Sequence, residues 1–202
     1  MNQHIRLYGG KLSGHSHRVE LFLRLLDLPF EFIATPPPER KLPAFLAMNA
    51  FGEIPVIDDN GVIIADSNAI LVYLATRYDD SRTWLPTDPV ELAQVQRWLS
   101  VAAGPLAFGP ATARLGTVFG RSVDRERSIE LANRLFRVMD EHLAERKFVA
   151  TGLPTVADIA CYSYTRAAPE GGVSLKPHQN IVRWLERIEA LPKFESMPPA
   201  PR

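Results

Sequence analysis

Several things are scarce in this chain, and each scarcity excludes something. A single cysteine, Cys161, rules out an internal disulfide and any site built from several thiolates. Its place in an apolar helical pattern makes it a small core residue and not a redox thiol. No apolar run approaches the ~20 residues of a membrane span. The opening MNQHIRLYGG also lacks the apolar segment of a secretory signal, so no membrane partner is expected and the expected compartment is the cytoplasm. Excess charge of one sign is missing too: 23 Lys and Arg balance 23 Asp and Glu, which leaves no electrostatic footprint for nucleic acid. His15 and His17 have no third ligand at metal spacing, so no metal site is expected and both rings are read as facing solvent. What remains is a 202-residue chain, 46% hydrophobic, long enough to build a core without staples.

The richest stretch is Gly52 to Tyr78, GEIPVIDDNGVIIADSNAILVYLATRY. Pro55 has no N–H for a sheet ladder, so it belongs at a strand's first residue or edge, with the backbone of Ile54 free to pair elsewhere. A short peptide can add itself to such an edge as a strand. Its carboxylate can then sit on the open N–H groups of a helix starting near Asp66, Ser67 and Asn68. Upstream, Ile5 to Tyr8 reads as a strand, Ser16 to Leu28 as an amphipathic helix and Phe30 to Ile33 as a second strand. Leu42 to Met48 follows as a helix, and strands Pro55 to Asp58 and Val62 to Ala65 flank an Asp59-Asn60-Gly61 turn. Strand, helix, strand, helix, hairpin, helix is the order of a thioredoxin-like α/β domain, residues 1–78. A linker, 79–88, precedes an all-α bundle over 89–202. Asp88-Pro89-Val90-Glu91 opens its first helix, Gly104-Pro105 and Gly109-Pro110 interrupt that helix, and Ser128 to Leu143 forms another. Thr155 and Asp158 make a capping box for a buried helix, whose loss is expected to cost ~1 kcal/mol. Ile181, Trp184, Leu185, Ile188 and Leu191 carry the last helix.

The pattern Ile-Pro-Val-Ile-Asp, then Ala-Asp-Ser-Asn-Ala-Ile and Tyr-Leu, resembles the cytosolic glutathione S-transferase family. Leu12 to Pro29, Lys41 to Pro55 and the TVADI of Thr155 to Ile159 also fall where that family has its recurring elements. The resemblance spans nearly the whole chain and is closest to the bacterial, serine-type and theta-like members. It implies glutathione as co-substrate, a small hydrophobic electrophile as second substrate, and a homodimer.

The resemblance also assigns residues. Asp66 and Ser67 match the acid and serine that hold the γ-glutamyl end, and Ile54 matches the residue whose backbone pairs with the cysteinyl part beside a cis proline, here Pro55. Lys41 or Arg40 matches the basic residue that meets the glycine carboxylate, although two cations on a proline-flanked loop also fit a solvated surface. The Leu-Ser-x-x-Cys-x-x-Val pattern of the serine-type members stands here as Leu12-Ser13-Gly14-His15-Ser16-His17-Arg18-Val19. Ser13 is therefore the candidate hydroxyl for the thiol; a plain N-cap is the alternative reading. Ser16 replaces a cysteine common in bacterial relatives and could share the donor role, and His15 is a secondary candidate. Tyr8 sits slightly early for a catalytic tyrosine and is read as core or pocket wall. Glu53 places an acid beside an anionic peptide. In the second domain Leu106, Phe108, Ala111, Leu115 and Phe119 fit either an apolar substrate wall or core, while Arg97 and Trp98 fit a dimer seam or a pocket rim. The implied function is activation of the glutathione thiol for attack on a small apolar electrophile. The alternatives are a non-catalytic interaction module of the same fold and a glutathione-dependent disulfide or peroxide reductase.

Overall fold

The computed structural model describes residues 5–201. Strand β1 (Ile5–Gly9) buries Ile5 and Leu7 by simple alternation, and helix α1 (Gly14–Leu25) returns the chain to β2 (Phe30–Ala34), parallel to β1. After a single 3₁₀ turn over Glu39–Lys41 and the short helix α2 (Pro43–Met48) come β3 (Val56–Asp59) and β4 (Val62–Ala65). Both pairings are antiparallel, giving a sheet ordered β2-β1-β3-β4. The hairpin turns on Asn60 and Gly61, with φ of 52° and 92°; two positive values are what a two-residue turn matching the strand twist requires. Helix α3 (Ser67–Tyr78) closes this thioredoxin-like domain.

Residues 79–88 contain no helix or strand, but they are tied down. Buried Asp79 accepts the Trp84 N–H at 2.8 Å, and the Trp84 carbonyl accepts the Val156 N–H at 2.9 Å. The second domain is wholly helical: α4 (Pro89–Ala103), α5 (Thr112–Phe119), α6 (Arg125–Leu143), α7 (Val156–Arg166) and α8 (Gln179–Glu189). Gly104-Pro105 bends the chain as expected, but Gly109-Pro110 does not interrupt it. A π-helical turn over Ala107–Ala111 absorbs the missing proline N–H and leads directly into α5. Gly109 is there for contact, since a Cβ on it would stand 2.9 Å from the backbone nitrogen of Ala132 on α6.

Trp98 is only 3% exposed and packs within the helical core beside His142, which removes it from any rim or seam; Arg97 is exposed. Leu106 is core and Phe108 is 65% exposed away from the cleft, so Ala111, Leu115 and Phe119 alone of the anticipated apolar wall face the cleft between the domains. Cys161 lies buried with its thiol toward the Trp98 carbonyl, and burial pushes its pKa up to about 12.

The capping box is also more than a cap. The fully buried Asp158 carboxylate accepts the Val149 N–H and the Trp184 indole N–H on one oxygen, both at 2.9 Å, and the Thr155 N–H and hydroxyl on the other, at 2.9 and 3.2 Å. Removing it strands three N–H donors in the core, each costing about 1–3 kcal/mol. The cap value of ~1 kcal/mol is therefore too small. Asp158→Ala should lower the free energy of unfolding in urea by ~3 kcal/mol or more. A loss of ~1 kcal/mol would reduce the residue to an ordinary cap.

Candidate active site

Two neighbouring cavities, of about 650 and 360 Å³, share His15, Glu53 and Ile54 in their walls. The smaller adds Asp66 and Ser67; the larger adds Ser13 and Arg40 from the first domain and Arg114, Leu115, Phe119, Arg121 and Tyr164 from the second. Together they form one groove running from the start of α3, past Ile54, to the start of α1.

The helix α1 begins at Gly14, two residues earlier than its apolar spacing suggests, because Ser13 takes the N-cap with extended backbone. Ser13 Oγ accepts the Ser16 N–H at 3.3 Å. As this bond uses only an oxygen lone pair, the hydroxyl proton stays available to a ligand. Gly14 permits the close approach of the second domain: a Cβ there would lie 2.8 Å from the Tyr164 ring. Ser16 is fully buried, and its Oγ accepts the Gly10 N–H at 3.1 Å, which braces the loop between β1 and α1. It belongs to neither cavity wall.

Both histidines depart from the solvent-facing expectation. His17 is 5% exposed, with Nδ1 2.8 Å from Ser163 Oγ and Nε2 2.9 Å from the Glu195 carbonyl, so it joins α1 to α7 and the C-terminal tail. His15 is half-buried in the cleft, stacked edge-on against Tyr164 with Nδ1 3.3 Å from Ser67 Oγ. Burial, and secondarily the charge of Arg18, push its pKa down to about 3, so the ring is neutral at physiological pH.

Arg18, which sequence reasoning passed over, is the hub beneath the groove. It is 1% exposed, and Nη1 donates to Ser67 Oγ at 3.2 Å and to Asn68 Oδ1 at 2.9 Å. Its Nε and Nη2 have no partner among the described residues. With Ser67 Oγ accepting from Arg18, the Ser67 hydroxyl proton is free for the neutral Nδ1 of His15. A cation therefore sits under the first turn of α3.

That first turn is prepared for an anion. Asp66 caps α3 by accepting the Asn68 and Ala69 N–H groups, both at 2.9 Å, and Ile70 N–H returns to the Asp66 carbonyl. The Ser67 N–H is the one left uncommitted among the described residues. Asp66 holds φ at 74°, an uncommon value for a non-glycine residue and one characteristic of functional sites. Between these ends the Ile54-Pro55 bond is cis, Pro55 is buried, and Ile54 makes no backbone hydrogen bond among the described residues. Arg40 lines the larger cavity and is oriented by its Nε donating to the Thr35 carbonyl at 2.8 Å, whereas exposed Lys41 lies in neither wall. Glu53 lines both cavities, and Tyr8 turns away to pack edge-on against Phe45.

Comparison with known proteins agrees with this architecture. The model of the glutathione S-transferase N-terminal domain matches residues 7–82, and that of the C-terminal domain matches residues 105–192. The chain is 30% identical to glutathione S-transferase 3 of Zea mays over 98% of its own length and 97% of that protein's, and 28% identical to GstB of Escherichia coli K12 over 93% and 94%. Among solved structures, a possible glutathione S-transferase from Rhodopseudomonas palustris superimposes with a TM-score of 0.88 at 31% identity, covering 96% of this chain and 97% of that one. The chain belongs to the glutathione S-transferase family.

Proposed function

We propose that the protein is a glutathione transferase that binds the tripeptide along Ile54 and stabilises its thiolate with the Ser13 hydroxyl. The single observation that carries this reading is the continuity of the groove: an uncommitted helix N–H over a buried cation at one end, a free strand-edge backbone in the middle, and a capping serine with a spare proton at the other. In this arrangement the Ser67 N–H and the Arg18 field receive the γ-glutamyl carboxylate, and Asp66 receives the γ-glutamyl ammonium. Ile54 pairs with the cysteinyl residue, and Arg40 rather than Lys41 meets the glycine carboxylate.

The energetics are within reach of these groups. A free thiol titrates near 8.5, so roughly 3% is thiolate at pH 7, and a downward shift of about two units raises that roughly 25-fold. The shift corresponds to about 2.7 kcal/mol. A helix N-terminus supplies ~0.3–1 kcal/mol and a hydroxyl donor to a charged acceptor ~1.5–3, so Ser13 provides the larger share. The thiolate then attacks an electrophilic carbon: a C–S bond forms, the bond to the leaving group breaks, the leaving group departs with its electron pair, and the thiol proton has gone to solvent. Burial of Cys161 weighs against a reductase using a thiol of its own. Glu53 in both cavity walls favours the non-catalytic alternative, since an acid there opposes an anionic peptide; Arg18 and Arg40 oppose it. The same reading has the protein acting in the cytoplasm as a homodimer, for which exposed Phe51, Val62 and Ile63 offer apolar surface.

Ser13→Ala should lower kcat with a model electrophile by about tenfold or more and move the alkaline rise of kcat/KM upward by one to two pH units, in line with a charge-assisted hydrogen bond. An unchanged pH profile would remove Ser13 from the mechanism. His15 yields a stability prediction. Its folded pKa is depressed, so between pH 6.5 and about 3 the unfolded chain carries a proton that the folded chain does not, and stability falls as pH drops through that window. His15→Asn should make the pH dependence of unfolding free energy shallower there by up to ~1.4 kcal/mol per pH unit. Identical slopes in variant and parent would place the ring in water.

A further inference from the structure

The larger cavity is cationic as well as apolar, and two of its cations, Arg114 and Arg121, are not those the tripeptide uses. Leu115, Phe119 and Tyr164 supply its greasy wall, while Arg114 and Arg121 enter it from the second domain opposite Arg40. Arg114 is 1% exposed: Nε donates to Glu170 at 2.6 Å and Nη1 to the Leu12 carbonyl at 2.7 Å, and Nη2 has no partner among the described residues. Arg121 has no carboxylate partner among the described residues. Arg40 and Arg121 sense one another across the mouth; after burial, repulsion from Arg121 is what lowers the Arg40 pKa. Lys11, the other cation in the wall, is already paired with Glu20 at 2.9 Å, and Glu53 is the only acid in the wall among the described residues. Once the glycine carboxylate of a bound tripeptide takes Arg40, the Arg121 guanidinium at the rim, unpaired among the described residues, and the buried charge of Arg114 behind the wall are left bordering an apolar space.

Resting on the transferase reading above, we infer that the second substrate is an aryl or alkyl electrophile bearing an acidic group, a carboxylate or sulfonate, held by Arg121 at the rim with Arg114 behind it. Arg114 also binds the carbonyl of the residue before Ser13, so an acid drawn toward its buried charge lies beside the serine that meets the sulfur. Charge then serves orientation: the anionic end lodges at the arginines and the reactive carbon faces the thiolate.

The test uses a matched pair, 4-chloro-3,5-dinitrobenzoate and its neutral amide, each conjugated with glutathione and each rate normalised to the uncatalysed reaction. In both the C–S bond forms as the C–Cl bond breaks and chloride leaves. The acid should be preferred in normalised kcat/KM by about tenfold at low ionic strength. Arg121→Gln should cut that ratio by about tenfold, and 0.5 M salt should shrink it as screening removes the rim contribution. A ratio near one, or one unmoved by Arg121→Gln in a variant with parental melting temperature, overturns the inference while leaving a working transferase. If neither compound is conjugated, the transferase reading fails by itself. Calorimetry with unreactive 3,5-dinitrobenzoate and 3,5-dinitrobenzamide then decides the site: tighter binding of the acid, lost in Arg121→Gln, upholds it, and equal binding rejects it.

Discussion

The hydrogen bond from Arg114 to the Leu12 carbonyl, 2.7 Å long and buried between the domains, is the contact on which the site depends. It fixes the last peptide before the N-cap of α1 from the side of the helical domain. Two further contacts complete the clamp: the Tyr164 ring lies against Gly14 with no room for a side chain, and Arg18 ties α1 to α3 through Ser67. A serine hydroxyl on a strand-to-helix loop is otherwise a mobile group. Here its helix start is held by α3, α5 and α7 together, so the geometry around the Ser13 hydroxyl is built by both domains and not by the thioredoxin-like half alone.

The same clamp concentrates positive charge in a chain whose formal net charge is zero. Arg18 and Arg114 are both almost wholly buried, with two nitrogens of the first and one of the second lacking a partner among the described residues, and Arg40 faces Arg121 across the opening. Burying an incompletely paired guanidinium is unfavourable for folding, by several kcal/mol in the general case. An arrangement that carries two such groups beside one groove is suited to anions, whose charge offsets that of the guanidiniums beneath. Neutral His15 fits the same logic, because a second cation above Arg18 would raise the cost further.

Much of the fold was legible because local signals agree with the tertiary outcome. Asn60-Gly61 dictates its turn, Asp88-Pro89 its helix start, and the strand alternation of Ile5 and Leu7 its buried face. The candidate ligand residues Ser13, Ile54, Asp66 and Ser67 do gather along one groove, since capping residues and a strand-opening proline mark positions where backbone groups are free. What could not be read depends on the second domain. A lone arginine or histidine on an amphipathic helix looks solvated until another element covers it, and α7 covers Arg18, His15 and His17 from more than 140 residues away. Gly109-Pro110 likewise reads as a break, but is a π turn in which Gly109 packs closely against Ala132 of α6. Asp158 was undervalued for the same reason: the Trp184 and Val149 donors that meet it are invisible to a local capping pattern.

The most direct measurement is a crystal structure with glutathione bound. The account predicts the tripeptide extended along Ile54, its γ-glutamyl carboxylate on the Ser67 N–H, and its sulfur within hydrogen-bonding distance of Ser13 Oγ, with Ser16 still buried on the Gly10 N–H. A tripeptide whose sulfur points away from Ser13, or a groove that stays empty at saturating glutathione, would contradict it.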